Sequence, residues 1–268
     1  MSTTTGQSRI TAAFEQLRSS GEIAIIPYLT VGYPDIDTVQ RVVPALVEGG
    51  VAMVELGIPF SDPLADGVTI QRSSQVALEN GVTVSTCFQT TRDLRQLDVD
   101  VPLIFMGYFN PVLSYGLDRF AAGCAEAGVD GMIIPDLPPE ECGELLDACR
   151  RHGRDLIFMV APTSTDEHLA AVARQATGFV YCVSMTGVTG ERTSLSAGLS
   201  GFMERVRRHT DLPLAIGFGI SQPEHVAQVG TLADGAIVGS AIVKRLGSTP
   251  RDRQPEEMRQ FARFLRGV

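Results

Sequence analysis

Residues 22–56 read EIAIIPYLTVGYPDIDTVQRVVPALVEGGVAMVEL. A short apolar run (22–30) is followed by a stretch with helical spacing (35–48) and by a second apolar run (51–56). Neither run alternates apolar with polar. Strands covered on both faces have that composition, which implies a parallel sheet with helices packed over it. The same unit repeats to the end of the chain. Strand-like runs recur at 102–106, 130–134, 156–160, 178–183, 213–216 and 234–238. Helical patterns lie at 69–79, 84–97, 117–127, 138–151, 166–175, 196–209, 222–229 and 240–246. About eight β/α units in unbroken series suit a closed barrel better than a doubly wound sheet, which usually stops near six strands. The expected fold is therefore α/β, a (β/α)8 TIM barrel.

No Pro/Gly/Ser-rich linker divides the chain, so 1–268 reads as a single domain, with 1–8 a polar N-terminal segment and 247–268 a C-terminal loop and helix. Gly49-Gly50, Gly128 and Gly153 stand where helix C-caps are wanted, and Thr165-Asp166 and Ser221 where N-caps are wanted. The 268 residues are 44% hydrophobic and 20% charged, enough to bury one sizeable core. A net charge of −9 disfavours nucleic acid and anionic membranes as partners. The basic C-terminal stretch (Arg245, Arg251, Arg253, Arg259, Arg263, Arg266) reads as the solvated face of a last helix. No secretory signal and no apolar run of membrane-spanning length is seen, so a soluble cytoplasmic protein is expected. The five cysteines form no CxxC pair and read as packed, reduced thiols.

In such a barrel, functional residues collect just after the strands. The unusual residues do so here. Glu55 sits in the second run, and 57–67 (GIPFSDPLADG) follows it; Asp136 follows strand 4, 184–190 strand 6, 217–219 strand 7 and Gly239-Ser240 strand 8. An ionised carboxylate in an apolar strand is costly unless paired or functional, and burial should raise its pKa toward values useful in proton transfer. Glu55 is thus the leading catalytic candidate, against the plainer reading of a carboxylate capping a loop. Asp66 and Asp62 lie among turn formers; Asp66 gains weight from sharing the barrel face with Glu55, whereas Asp62 reads as structural. Gly217–Gly219 and Gly239-Ser240, each opening toward a helix N-terminus, are placed to hold a phosphate through backbone N–H groups. Residues 184–190 are lid-like.

The sequence also removes options. Its single lysine, Lys244, belongs to the last helical pattern before the tail, so a strand-borne Schiff-base amine is missing. The four histidines (His152, His168, His209, His225) share no metal-ligand spacing, and no GxGxxG follows strand 1. Carboxylate acid/base chemistry beside a phosphate site remains.

VELGIPFSDPLADG (54–67) closely resembles the signature of the tryptophan synthase alpha chain family. The resemblance extends through 25–35, 132–141, 161–164, 181–190, 217–221 and 239–244, nearly the whole chain. It implies a lyase that splits indole-3-glycerol phosphate into indole and D-glyceraldehyde 3-phosphate in tryptophan biosynthesis, with Glu55 and Asp66 as catalytic carboxylates. It implies a phosphate cradle from Gly190, Gly219, Gly239 and Ser240, with Tyr181 and Thr189 beside Asp66. Tyr28, Ile70, Met106, Tyr108 and Phe218 would line an indole pocket. Tyr28 stands where relatives often have Phe, Met185 where many have Arg, and the stretch around Gly230 looks one residue shorter. The resemblance implies no cofactor and no metal in this chain; pyridoxal phosphate belongs to a partner beta chain, in an alpha2beta2 heterotetramer docked around Pro59, Asp62 and Asn110. The alternative is a stand-alone lyase that releases free indole.

Overall fold

The computed structural model describes residues 7–184, 197–217 and 219–268. Eight strands close a parallel barrel in sequence order. They are β1 (Ala24–Thr30), β2 (Val54–Gly57), β3 (Leu103–Met106), β4 (Gly131–Ile133), β5 (Asp155–Val160), β6 (Val180–Val183), β7 (Leu214–Gly217) and β8 (Gly235–Val238). The pairing of β1 with β8, Ala24 opposite Gly235, shuts the cylinder. The expected (β/α)8 barrel is borne out.

Helices fill the connections: α1 (Arg9–Ser20), α2 (Thr38–Glu48), α3 (Val68–Glu79), α4 (Val84–Gln96), α5 (Phe109–Tyr115), α6 (Leu117–Ala127), α7 (Gly143–Arg151), α8 (Asp166–Gln175), α9 (Ala197–Arg207), α10 (Pro223–Gly230), α11 (Ser240–Ser248) and α12 (Gln254–Arg266). Thr165 caps α8 by accepting from the His168 N–H, and Gly128 ends α6 in the left-handed conformation. Ser221 does not cap α10. Gln222 holds the N-cap position and Pro223 the first turn, while the Ser221 N–H donates to His225 Nδ1 at 3.3 Å. The arginines of α12 and its approach do not simply face water. Arg245 pairs with Glu257, Arg251 with Asp37, Arg259 with Glu48 and Arg266 with Glu22, tying the C-terminal helix to its neighbours.

Side chains alternate across each strand, so the barrel has two apolar compartments. Val54, Leu56, Leu103, Phe105, Met132 and Leu156 point outward into the large core under the helices. Met53, Ile26, Ile104, Ile133, Ile157, Phe179, Ala215 and Ile237 point inward. Two side chains of α1 join this inner cluster: Ile10 and Phe14, the latter with its ring 5.6 Å from that of Phe179. The N-terminal helix thereby plugs the bottom of the cylinder. Among the described residues no helix is long and apolar enough to cross a membrane. All five cysteines are buried free thiols, and burial pushes Cys149 and Cys182 up to about 12, far from a reactive thiolate.

Candidate active site

The inward-facing parity that gives the apolar layer also gives the site. One step further along each strand from Ile26, Met53, Ile104, Phe179 and Ala215 come Tyr28, Glu55, Met106, Tyr181 and Gly217. These five line one cavity at the C-terminal mouth, joined by Asp66, Ile70, Gly219, Ile237, Gly239 and Ser240.

Glu55 is fully buried, and neither carboxyl oxygen has a hydrogen-bond partner. With no donor to stabilise the anion, desolvation alone pushes its pKa from 4.5 to about 8. It is therefore a protonated acid at neutral pH. Asp66 comes from the turn before α3, where its N–H donates to the Pro63 carbonyl. Burial lifts its pKa to about 6, opposed by a hydrogen bond from the Tyr108 hydroxyl. Near pH 7 the cavity holds one protonated and one ionised carboxyl group, the division of labour that acid/base chemistry needs.

Tyr108 supports the Asp66 loop, its hydroxyl bonding the Asp66 carboxylate and accepting from the Ala65 N–H at 3.0 Å, and its ring stacked on Phe60 at 5.3 Å. It fixes the loop that delivers Asp66. Asp136 accepts from the Phe109 N–H at 2.8 Å and secures the start of α5.

Tyr28 and Tyr181 use one device on opposite walls. Tyr28 pairs with Glu55, two residues before Gly57, and Tyr181 with Ala215, two before Gly217. A Cβ on Gly57 would lie 2.1 Å from the Tyr28 hydroxyl, and one on Gly217 would lie 2.5 Å from that of Tyr181. Each glycine makes room for a ring from the preceding strand, so Gly217, read from sequence as part of a phosphate loop, is first a packing requirement. Both phenols are held well above their ordinary pKa, mainly by burial, and stay protonated.

Gly219 has φ 54 and opens on empty space. Gly239 is the N-cap of α11, whose first residue is Ser240. The free N–H groups of a helix N-terminus thus reach the same cavity as the two carboxyl groups, and such groups favour an anion. Thr189, Gly190 and Phe218, together with Met185 of the expected lid, lie outside the described residues. Among the described residues no three His, Cys, Asp or Glu side chains gather as a metal-holding group.

Known proteins place this geometry. The family model for the tryptophan synthase alpha chain matches residues 14–266. The chain belongs to the tryptophan synthase alpha chain family. It is 53% identical over 260 residues to the alpha chain of Roseiflexus castenholzii, covering 97% of this chain and 100% of that one. It is 56% identical over 239 residues to that of Chloroflexus aggregans, covering 89% and 90%. Among solved structures, tryptophan synthase from M. tuberculosis in an aminoacrylate-bound form superposes with TM-score 0.86 at 36% identity, covering 97% of this chain and 100% of that chain. The alpha subunit from Legionella pneumophila gives 0.88 at 32%, covering 98% and 100%.

Proposed function

We infer that this chain catalyses the alpha reaction of tryptophan synthase, the aldol-type cleavage of indole-3-glycerol phosphate to indole and D-glyceraldehyde 3-phosphate in L-tryptophan biosynthesis. The observation that carries the residue assignment is the buried Glu55 carboxyl, without a hydrogen-bond partner, lining the same cavity as Asp66; burial raises the pKa of both, that of Glu55 further.

Cleavage needs an electron sink at the indole ring. Glu55 protonates indole C3, and the ring becomes an indoleninium cation. The bond from C3 to the glycerol side chain then breaks, its electron pair returns to the ring, and the 3′-hydroxyl becomes the aldehyde. Its proton returns to Glu55, so the acid is regenerated. Asp66, ionised, accepts the indole N–H and stabilises the positive charge as it develops. The phosphate lies against Gly219, Gly239 and Ser240, held by backbone N–H groups, with Gly190 completing the cradle that the family resemblance implies. Ile70 and Met106 give the ring its apolar contacts.

An alpha chain of tryptophan synthase works with a beta chain. We assign the docking face to the C-terminal mouth, in an alpha2beta2 assembly. Asp62 and Asn110 are exposed there, whereas Pro59 is buried in its own loop. Leu64 and Val68, 84% and 81% exposed beside the cavity, are apolar side chains that a partner would cover. Pyridoxal phosphate belongs to that partner; Lys244 is exposed on α11 and does not line the cavity. The test of the assignment is Glu55→Gln, which keeps shape and loses the exchangeable proton. Indole release should fall by about 3 kcal/mol in transition-state stabilisation or more, and activity within tenfold of the parent chain would remove Glu55 from the mechanism.

A further inference from the structure

Thr30 follows Tyr28 by two residues on β1, so both side chains leave the same face of the strand. Thr30 stands at the open end of β1, yet it is 1% exposed, because α3 lies against it. Thr30 Oγ1 is 2.7 Å from Ser73 Oγ of α3 and 3.2 Å from the Tyr28 hydroxyl oxygen. Ser73, also buried, donates to the Ile70 carbonyl at 2.8 Å. Each hydroxyl has one proton, and a carbonyl only accepts. All three contacts are satisfied in one order: Tyr28 donates to Thr30, Thr30 to Ser73, and Ser73 to the carbonyl.

This chain of bonds joins two walls of the cavity from behind. Tyr28 and Ile70 both line the cavity and share one small apolar cluster with Val243, whereas Thr30 and Ser73 stand outside the lining. A Cβ on Gly239 would lie 3.8 Å from Tyr28 Cβ and 4.0 Å from Ile70 Cδ1, so the two walls flank that glycine. The packing face of α3 is thin. Its buried residues are Ile70, Ser73, Ser74 and Ala77, of which only Ile70 is large, and its start has no side-chain cap. Apolar contact alone lets a helix slide. A hydrogen bond between buried hydroxyls does not, because slippage leaves both without a partner and out of water.

We propose that Thr30 and Ser73 are positioning residues: their hydrogen bond sets the gap between Tyr28 and Ile70 and so limits the width of the indole ring that the chain accepts. The proposal rests on the alpha reaction reading, in which the ring lies against Ile70. A ring bearing a methyl group toward this gap must push α3 away from β1. The bond resists up to the cost of breaking it. With the bond removed, only apolar contact resists, and the walls part more easily. Neither residue touches the substrate; the bond acts through the two walls.

The experiment compares kcat/KM for indole-3-glycerol phosphates methylated at ring positions 4 to 7, each divided by the value for the parent substrate. The ratios are measured for the natural chain and for Thr30→Val, Thr30→Ser and Ser73→Ala. Chemical effects of the methyl group are common to all chains and cancel between them. At least one methylated ring should gain about fivefold over the natural chain in both Thr30→Val and Ser73→Ala, the worth of one neutral hydrogen bond. Thr30→Ser keeps the hydroxyl and should keep the natural ratios. A merely structural role would lower the melting temperature and leave the ratios alone. All four ratios within twofold of the natural chain in both variants would overturn the proposal, as would a Thr30→Ser variant as permissive as Thr30→Val. Calorimetric titration with indole and the four methylindoles gives the same comparison without turnover. A natural chain that fails to cleave the parent substrate would therefore refute the alpha reaction, while this proposal is still decided by binding.

Discussion

Glu55 costs the fold stability, and the cost has a defined pH dependence. Its carboxyl group titrates at 4.5 in an exposed setting and at about 8 in the buried site. Below both values it is protonated in the folded and unfolded chains and contributes nothing to the difference. Between them the unfolded chain ionises while the folded chain retains the proton, so stability falls as pH rises. Worked from those two values, the penalty is about 1 kcal/mol at pH 5 and about 4 kcal/mol at pH 8, an upper limit because water entering the cavity would ease the anion. Glu55→Gln removes the titration and keeps the shape. Whatever its amide costs by burial is independent of pH. The variant's stability relative to the parent chain should therefore rise by about 3 kcal/mol between pH 5 and pH 8, equivalent to roughly 6–12 °C in melting temperature for a chain of this size. The assay is urea or thermal unfolding of both proteins at half-unit pH steps, read as the difference between them. A difference that stays flat or narrows over that interval would show that Glu55 is solvated or paired in the folded chain, and the argument for it as a resident acid would fail.

The remaining predictions follow from the same site. The kcat/KM profile should be bell-shaped, falling below about 6 as Asp66 takes a proton and above about 8 as Glu55 loses one; Tyr108→Phe should move the acid limb upward, and an unmoved limb would separate Tyr108 from Asp66. Gly57→Ala should destabilise by about 1–3 kcal/mol through collision with the Tyr28 ring, and combination with Tyr28→Ala should recover part of that loss in a thermal melt; additive losses would refute the packing account. Adding a cognate beta chain should raise the lyase rate by roughly 10- to 100-fold, a coupling of about 1–3 kcal/mol, and Asp62→Lys should weaken that stimulation more than the basal rate. No stimulation in a steady-state assay would leave a stand-alone lyase.

The barrel was legible because its strands are apolar on both faces, which only an enclosed sheet requires. Two helices were not. In α1 only Ile10 and Phe14 are buried, too thin a stripe to show as periodicity, although those two side chains close the cylinder. The helix α5 is short and carries Pro111 in its first turn. In the site, Glu55 was conspicuous because a charge is rare in such a run. The hold of Tyr108 on Asp66 joins residues far apart in the chain, and no local spacing announces it. The meaning of Gly57 and Gly217 was hidden for the same reason: each is fixed by a ring on the neighbouring strand. The sequence assigns Asp136 no role, because a carboxylate after a strand reads alike whether it meets a substrate or a backbone N–H.

The position of Glu55 explains how a fold can hold an unpaired acid in its interior. Met53, one inward step below it, belongs to an apolar layer that Ile10 and Phe14 of α1 join from beneath, so Glu55 has hydrocarbon on that side. The layer above must then be the place where chemistry replaces hydrocarbon, because it is the first inward layer open to ligands. Burial from below sets the acid's pKa, and access from above lets that proton be used. Filling the upper layer with more hydrocarbon would stabilise the barrel and close the site. Opening the lower one would hydrate Glu55 and return it to an ordinary carboxylate. The acid works only at the boundary between the two layers, which is where the inward parity of β2 puts it.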